Sequence, residues 1–295
     1  MLLKNNSGVI FVLTGILLLL ISFFLNVMSE ALYNTAIEQN REIDVIAHRG
    51  LPFEAPENSL EGIEKAIEKK CKFIEIDVHQ TSDGAIVLLH DFTLDRTTKL
   101  TGLIKNHSLS QIEEYNTKVK NGMIENGVKL PLLNEVLELV NGRANVIVEV
   151  KSGGSFYPNI ELQVADIINR HHAHSWVQVH SFSDEVLENV HAADSKIELH
   201  KLMVFYWPLI NLMVDEGVHF RKLKSYDFVS RFSIFYPFAN RRLIKRMHNL
   251  NKKVNIWSLN NHLRAKNYIG LGVDGIITDR ADDFLTNPLI VNPSN

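Results

Sequence analysis

Four apolar runs in this chain carry, at or just beyond their ends, residues able to hold a proton, a charge or a metal ion. The run ending at Ala47 leads into His48-Arg49, the run 73–78 contains Glu75 and Asp77, the run ending at Leu89 leads into His90, and the run 146–150 contains Glu149 just before Lys151. Residues two apart in a strand share a face, so Glu75 and Asp77 project together while Ile74, Ile76 and Val78 face the other way; Glu149 and Lys151 repeat the arrangement. Paired carboxylates in apolar surroundings are costly unless a cation joins them. Glu75, Asp77 and Glu149 suit one divalent cation, Mg2+ or Ca2+, whereas the lack of clustered Cys and His argues against structural zinc. Any one of these pairs, taken alone, reads equally well as a structural ion pair. With His48 and His90 added, the set contains acid, base, metal ligands and cations, the inventory for metal-assisted attack on a phosphodiester.

From Ile43 onward, short β-rich runs alternate with amphipathic helical patterns, the signature of an α/β domain with a mainly parallel sheet. Strands are expected at 43–48, 73–78, 86–90, 146–150, 176–180, 197–205, 226–232, 254–259 and 275–278. Between them, Leu60, Ile63 and Ile67 make one helical face behind Asn58, read as the N-cap with Glu61 three residues on; Leu133, Val136, Leu137 and Val140 make another. Strands and helices of this length and order predict a (β/α)8 TIM barrel with one irregular, hairpin-like unit, whose working residues lie at the C-terminal ends of strands. The irregular unit is placed at 77–90, where no crossover helix fits and Asp83-Gly84 is a strong two-residue turn. A hairpin centred there pairs residues whose numbers sum to about 167, setting Asp77 opposite His90.

Ahead of the barrel, residues 9–28 are apolar and uncharged, broken only by Thr14, Gly15, Ser22 and Asn26, which is long enough to cross a bilayer. The flanking residues fit a signal-peptidase site poorly, so an uncleaved anchor is expected. The organisation read from this is a transmembrane helix within 1–28, a stalk at 29–42 and one catalytic domain at 43–295. Lys4 and the α-amine against Arg41 give a weak bias towards a single-pass protein with its catalytic domain outside the cytoplasm. The formal charge of −3 lacks the basic footprint of nucleic-acid binding, and 45% apolar residues exclude a mostly disordered chain. One cysteine, Cys71, excludes an internal disulfide and is read as a small buried hydrophobe.

The motifs Ala47-His48-Arg49-Gly50, Ala55-Pro56-Glu57-Asn58-Ser59, Glu75-Ile76-Asp77-Val78, His90-Asp91, Glu149-Val150-Lys151 and Asp274-Gly275-Ile276-Ile277-Thr278-Asp279, in this order over residues 43 to 285, resemble those of the glycerophosphodiester phosphodiesterases. The resemblance implies the same barrel fold as phosphoinositide-specific phospholipases C. It implies His48 and His90 as the general acid and base, Glu75, Asp77 and Glu149 as metal ligands, and Arg49 and Lys151 as phosphate-holding cations. It also places Glu57 near the metal and Trp257 as an aromatic wall of the substrate pocket. The implied substrate is a glycerophosphodiester, cleaved to glycerol 3-phosphate and an alcohol. Aromatic residues after two strands (Phe205, Tyr206, Trp207; Phe232, Phe235, Tyr236, Phe238) leave open a rim that accepts the chain of a lysophospholipid. A noncatalytic membrane-anchored binding module is the remaining alternative. Of the other histidines, His180 ends a strand where it could touch substrate, His79 is read as structural and facing away from Asp77, and His171, His172 and His174 as a solvated turn.

Overall fold

Strand β1 (Asp44–His48) is paired in parallel on both sides, with β2 (Phe73–Gln80) and with β12 (Gly275–Thr278), and that double pairing closes the sheet into a barrel. The computed structural model describes residues 43–113 and 129–287; the expected membrane span and stalk lie outside the described residues. Among the described residues no helix is long and apolar enough to cross a membrane. The remaining barrel strands are β4 (Asn145–Val150), β5 (Val177–Ser181), β6 (Glu198–Met203), β10 (Arg231–Phe235) and β11 (Lys253–Trp257), giving eight parallel strands in the order β1-β12-β11-β10-β6-β5-β4-β2. Helices pack outside them. Ile63, Ala66, Leu133, Val136, Leu137, Ile160 and Val164 are buried against outward-facing Ile74, Ile76, Val146 and Val148 in one apolar cluster. The barrel's inner apolar layer is small, made of Ile46, Ile147 and Ile277 with Phe73 and Trp257 packed on it. Below it Arg231 donates to Asp44 and Asn255, so the lower barrel is filled by polar side chains rather than apolar ones.

The hairpin-like unit is present, with a different register. Strand β3 (Ile86–Leu88) runs antiparallel to β2 with Val78 opposite Leu88 and Gln80 opposite Ile86, so paired numbers are one lower in sum than a two-residue turn requires. The cause is Thr81. Its N–H donates to the Ala85 carbonyl and its hydroxyl accepts from the Ala85 N–H, closing a three-residue loop in which Gly84 takes φ +86°. Asp77 therefore faces Leu89, whose N–H donates to the Asp77 carbonyl at 3.1 Å, and His90 lies one residue beyond.

A second irregular unit, not anticipated, follows β6. The run expected as one strand to 205 breaks after Met203, and β7 (Phe205–Trp207), β8 (Leu212–Val214) and β9 (Val218–Phe220) form a separate antiparallel sheet where a crossover helix would stand. The strand expected at 226–232 starts instead at Arg231, after a 3-10 turn at Leu223–Ser225.

Candidate active site

At the C-terminal end of β1, Arg49 (φ +57°) and Gly50 (φ +83°) turn the chain sharply. A Cβ on Gly50 would sit 2.8 Å from the Gly62 backbone, so this position requires glycine for the loop to lie against the helix Leu60–Glu68. That helix is capped by Ser59, whose hydroxyl accepts from Gly62 N–H, rather than by Asn58. Asn58 is otherwise occupied. Its amide donates to Asp77 Oδ2 at 2.8 Å and its carbonyl accepts from Asp77 N–H at 3.0 Å, a two-point clasp that fixes the carboxylate.

The two histidines are held alike. His48 Nδ1 lies 2.6 Å from Asp279 Oδ1, and His90 Nδ1 lies 2.6 Å from Asp91 Oδ1, which turns each Nε2 towards the cavity side. Asp279 is fixed in turn by Asn260, which donates to Oδ2 at 2.9 Å and accepts from the Asp279 N–H at 2.8 Å. Asp91 is gripped by Arg96, whose guanidinium also makes paired hydrogen bonds to Glu57, and Glu57 accepts from Arg49 at 2.9 Å. The loops after β1 and β3 are thus laced together through Glu57, which sits between two arginines. Burial pushes the Glu57 pKa up, but hydrogen bonds and charge from Arg96 and Arg49 bring it below the usual range.

The predicted metal ligands divide. Glu75, Glu149 and His180 offer ligand atoms all within 4.8 Å of one another, and all three are buried. His180 Nε2 is 3.4 Å from Glu75 Oε1 and 3.8 Å from Glu149 Oε2, and neither of its ring nitrogens has a hydrogen-bond partner. A buried imidazole without partners, facing two carboxylates, fits a cation seated among the three. Asp77 is not in that group: its Oδ1 lies 2.6 Å from Lys151 Nζ and its Oδ2 lies 3.3 Å from Arg49 Nε. Burial would raise the Asp77 pKa, yet Lys151 and Arg49 hold the carboxyl well below its ordinary value. Lys151 bridges to Glu149 Oε1 at 2.7 Å, and those two carboxylates outweigh its burial and raise its pKa. Glu75 is oriented from behind by the Arg49 N–H at 3.2 Å.

An inner cavity of about 110 Å³ is lined by His48, Arg49, Glu75, His90, Glu149, Lys151, His180 and Trp257, so every predicted site residue except Asp77, which lies directly beneath Lys151 and Arg49, borders one space. Trp257 donates Nε1–H to the Ser233 carbonyl and packs between Phe182 and Phe235. His79 needs correction: β2 runs unbroken to Gln80, so the two-residue period returns it to the Asp77 side. It stays structural, bonded to Tyr157 and to the His90 carbonyl, and burial lowers its pKa to about 4. His171 and His174 bond to Asn134 and Asp194, remote from the cavity lining. Cys71 is buried, and its thiol is pushed up to about 12 by burial, which makes it inert at neutral pH. Sequence reasoning missed the parts played by Asp279, Asn58 and Arg96; Asp279 alone left a local trace, as an acid immediately after an apolar strand.

A model of the glycerophosphoryl diester phosphodiesterase family matches residues 48–283. The chain is 30% identical over 246 residues to a glycerophosphodiester phosphodiesterase of Caldanaerobacter subterraneus, covering 82% of this chain and 96% of that one. It is 29% identical to one of Bacillus subtilis, covering 95% and 97%. Among solved structures, a phosphodiesterase of Oleispira antarctica in complex with the product sn-glycerol-3-phosphate superposes with a TM-score of 0.68 at 20% identity, covering 83% of this chain and 95% of that one.

Proposed function

Because this chain belongs to the glycerophosphoryl diester phosphodiesterase family and is a phosphoric diester hydrolase, we propose that it cleaves glycerophosphodiesters to glycerol 3-phosphate and an alcohol by histidine acid–base chemistry at a divalent-metal site. The observation that carries the reading is the pair of imidazoles, each held through Nδ1 by a carboxylate at 2.6 Å, beside the Glu75, Glu149 and His180 group. One imidazole takes the proton of the attacking hydroxyl, from water or from the neighbouring glycerol hydroxyl, as the new P–O bond forms. The other gives its proton to the departing alcohol oxygen as the old P–O bond breaks; if a cyclic phosphate forms first, water opens it with the two roles exchanged. Arg49 and Lys151 face the phosphate oxygens and share the charge that develops there. Glu75, Glu149 and His180 would hold the cation, Mg2+ or Ca2+, with Asp77 fixing Lys151 and Arg49 around it. When bound, the ion polarises a phosphoryl oxygen.

Incubation of the full chain with glycerophosphocholine, followed by phosphorus NMR with added metal or chelator, tests this. Metal-dependent glycerol phosphate is the expected product, and a folded, metal-loaded protein inert on every diester would move the noncatalytic binding module to first place.

A second reading has one observation in its favour. Phe182, Trp257, Phe235, Phe238 and Phe205 form consecutive ring contacts of 5.1–6.1 Å, leading from the cavity to the small sheet. On that sheet Phe205, Val214 and Val218 stand opposite one another, as do Trp207, Leu212 and Phe220, so one face is wholly apolar. This supports a path for the acyl chain of a lysophospholipid, a substrate that residues 9–28, read from sequence as a membrane anchor with the barrel extracytoplasmic, would bring within reach. Release of lysophosphatidic acid from lysophosphatidylcholine without detergent, and retention of the chain in carbonate-washed membranes, are the corresponding tests.

A further inference from the structure

The inner cavity opens into an outer one of about 610 Å³, and His90, Glu149, Lys151 and Phe182 border both. The outer cavity adds Phe92 and Glu216 to its walls. Its charge is one-sided. Among the described residues Lys151 is the only lysine or arginine lining it, and that ammonium is already held by Asp77 and Glu149. Asp91 is engaged by His90 and Arg96, whereas Glu216 makes no hydrogen bond or ion pair with any described residue.

The turn that carries Glu216 is nonetheless anchored. It sits in the turn between β8 and β9, where the preceding Asp215 pairs with fully buried Lys201 at 2.8 Å and accepts from the Gly217 N–H at 3.2 Å. Partial burial pushes the Glu216 pKa up against the pull of Lys201, a cost that a cation in the cavity would relieve. Two aromatic rings complete the walls: Phe92, edge-on to Phe156 at 5.3 Å, and Phe182, edge-on to Trp257 at 5.5 Å. A carboxylate with no partner among the described residues, in a cavity walled by aromatic rings, is the recognition chemistry for an ammonium group.

We propose that Glu216, with Phe92 and Phe182, forms a leaving-group subsite that selects glycerophosphodiesters whose alcohol carries an ammonium, such as choline or ethanolamine. The inference rests on the phosphodiesterase reading above. It follows from the order of the two cavities: the phosphate is met by Arg49 and Lys151 inside, and the alcohol beyond His90 extends into the outer space.

The test compares kcat/KM of the full chain and its Glu216→Gln and Glu216→Lys variants on glycerophosphocholine and glycerophosphoethanolamine against glycerophosphoglycerol and glycerophosphoinositol. The ratio of cationic to neutral substrates should fall roughly five- to tenfold in Glu216→Gln, chiefly through KM, and further in Glu216→Lys. A ratio unmoved within about twofold in both variants would overturn the subsite. Wild-type protein inert on all four diesters would overturn the phosphodiesterase reading and the subsite with it; wild-type activity with an unmoved ratio would overturn the subsite alone.

Discussion

His48 Nδ1 stands 2.6 Å from Asp279 Oδ1 across the seam where β1 and β12 close the barrel. The two residues lie 231 positions apart, so barrel closure itself assembles this pair. A carboxylate at Nδ1 fixes the ring's orientation and tautomer and stabilises the imidazolium that forms during proton transfer. Asp279→Asn keeps the shape but loses the charge, and should lower kcat on the order of 10²-fold. KM and Tm should stay close to wild type, a split that a merely structural role would not give. His48→Ala and His90→Ala should each cost on the order of 10²- to 10⁴-fold in kcat; most of the activity surviving in both would remove histidine catalysis.

The partnerless His180 between Glu75 and Glu149 separates two sets of ligands: Glu75, Asp77 and Glu149, expected from sequence, and Glu75, Glu149 and His180, gathered by the fold. Equilibrium dialysis distinguishes them without reference to turnover. His180→Ala, Glu75→Gln and Glu149→Gln should each weaken metal binding by at least about 10²-fold, since loss of an outer-sphere partner alone commonly costs 10- to 100-fold. Asp77→Asn should weaken it less than His180→Ala; the opposite order would return Asp77 to the ligand set.

The barrel was legible because period-two strands and period-3.6 helices are local patterns, and the alternation at Phe73–Gln80 already put Glu75 and Asp77 on one face. What escaped was set by contacts between distant segments. Asn58 is a good N-cap by type, but its amide is consumed by Asp77, 19 residues away, and Ser59 takes the cap. The hairpin register missed by one because the Thr81 hydroxyl lengthens the turn, and a count centred on Asp83-Gly84 does not see that bond. The small sheet after β6 has strands of three residues each, too short to display a period.

Lys151 lies between Asp77 at 2.6 Å and Glu149 at 2.7 Å, with its side chain only 9% exposed. Replacing one member of such a group strands the others. Lys151→Met should destabilise the fold by about 3 to 5 kcal/mol in urea titrations, because Asp77 and Glu149 would remain as buried like charges. The double variant Lys151→Met, Asp77→Asn should recover part of that loss by removing one of them. A double variant less stable than Lys151→Met would show that Asp77 is sustained by Arg49 and Asn58 without help from Lys151.

Acid should destabilise the protein from pH about 6.5 downward, and one reason lies beneath His90. His79 is buried, with Nε2–H donating to the His90 carbonyl and Nδ1 accepting from the Tyr157 hydroxyl, so both nitrogens of the neutral ring are satisfied. Burial disfavours the charged ring and lowers its pKa from 6.5 to about 4; it does the same for His200. Between those pH values the unfolded chain binds protons that the folded chain refuses, so stability is full above pH about 6.5 and declines as pH falls towards about 4. By pH about 4.5 each ring should have removed about 2 kcal/mol. Asp91, whose carboxyl is pushed up by burial but brought down to about 2 by Arg96 and His90, adds its loss only at lower pH. His79→Gln keeps a donor for the His90 carbonyl and has no proton to gain, so its unfolding free energy should change less between pH about 7 and 4.5 than that of wild type, by about 2 kcal/mol. Equal pH slopes in the two proteins would mean that His79 is protonated in the folded state, and the bonding assigned beneath His90 would have to be redrawn.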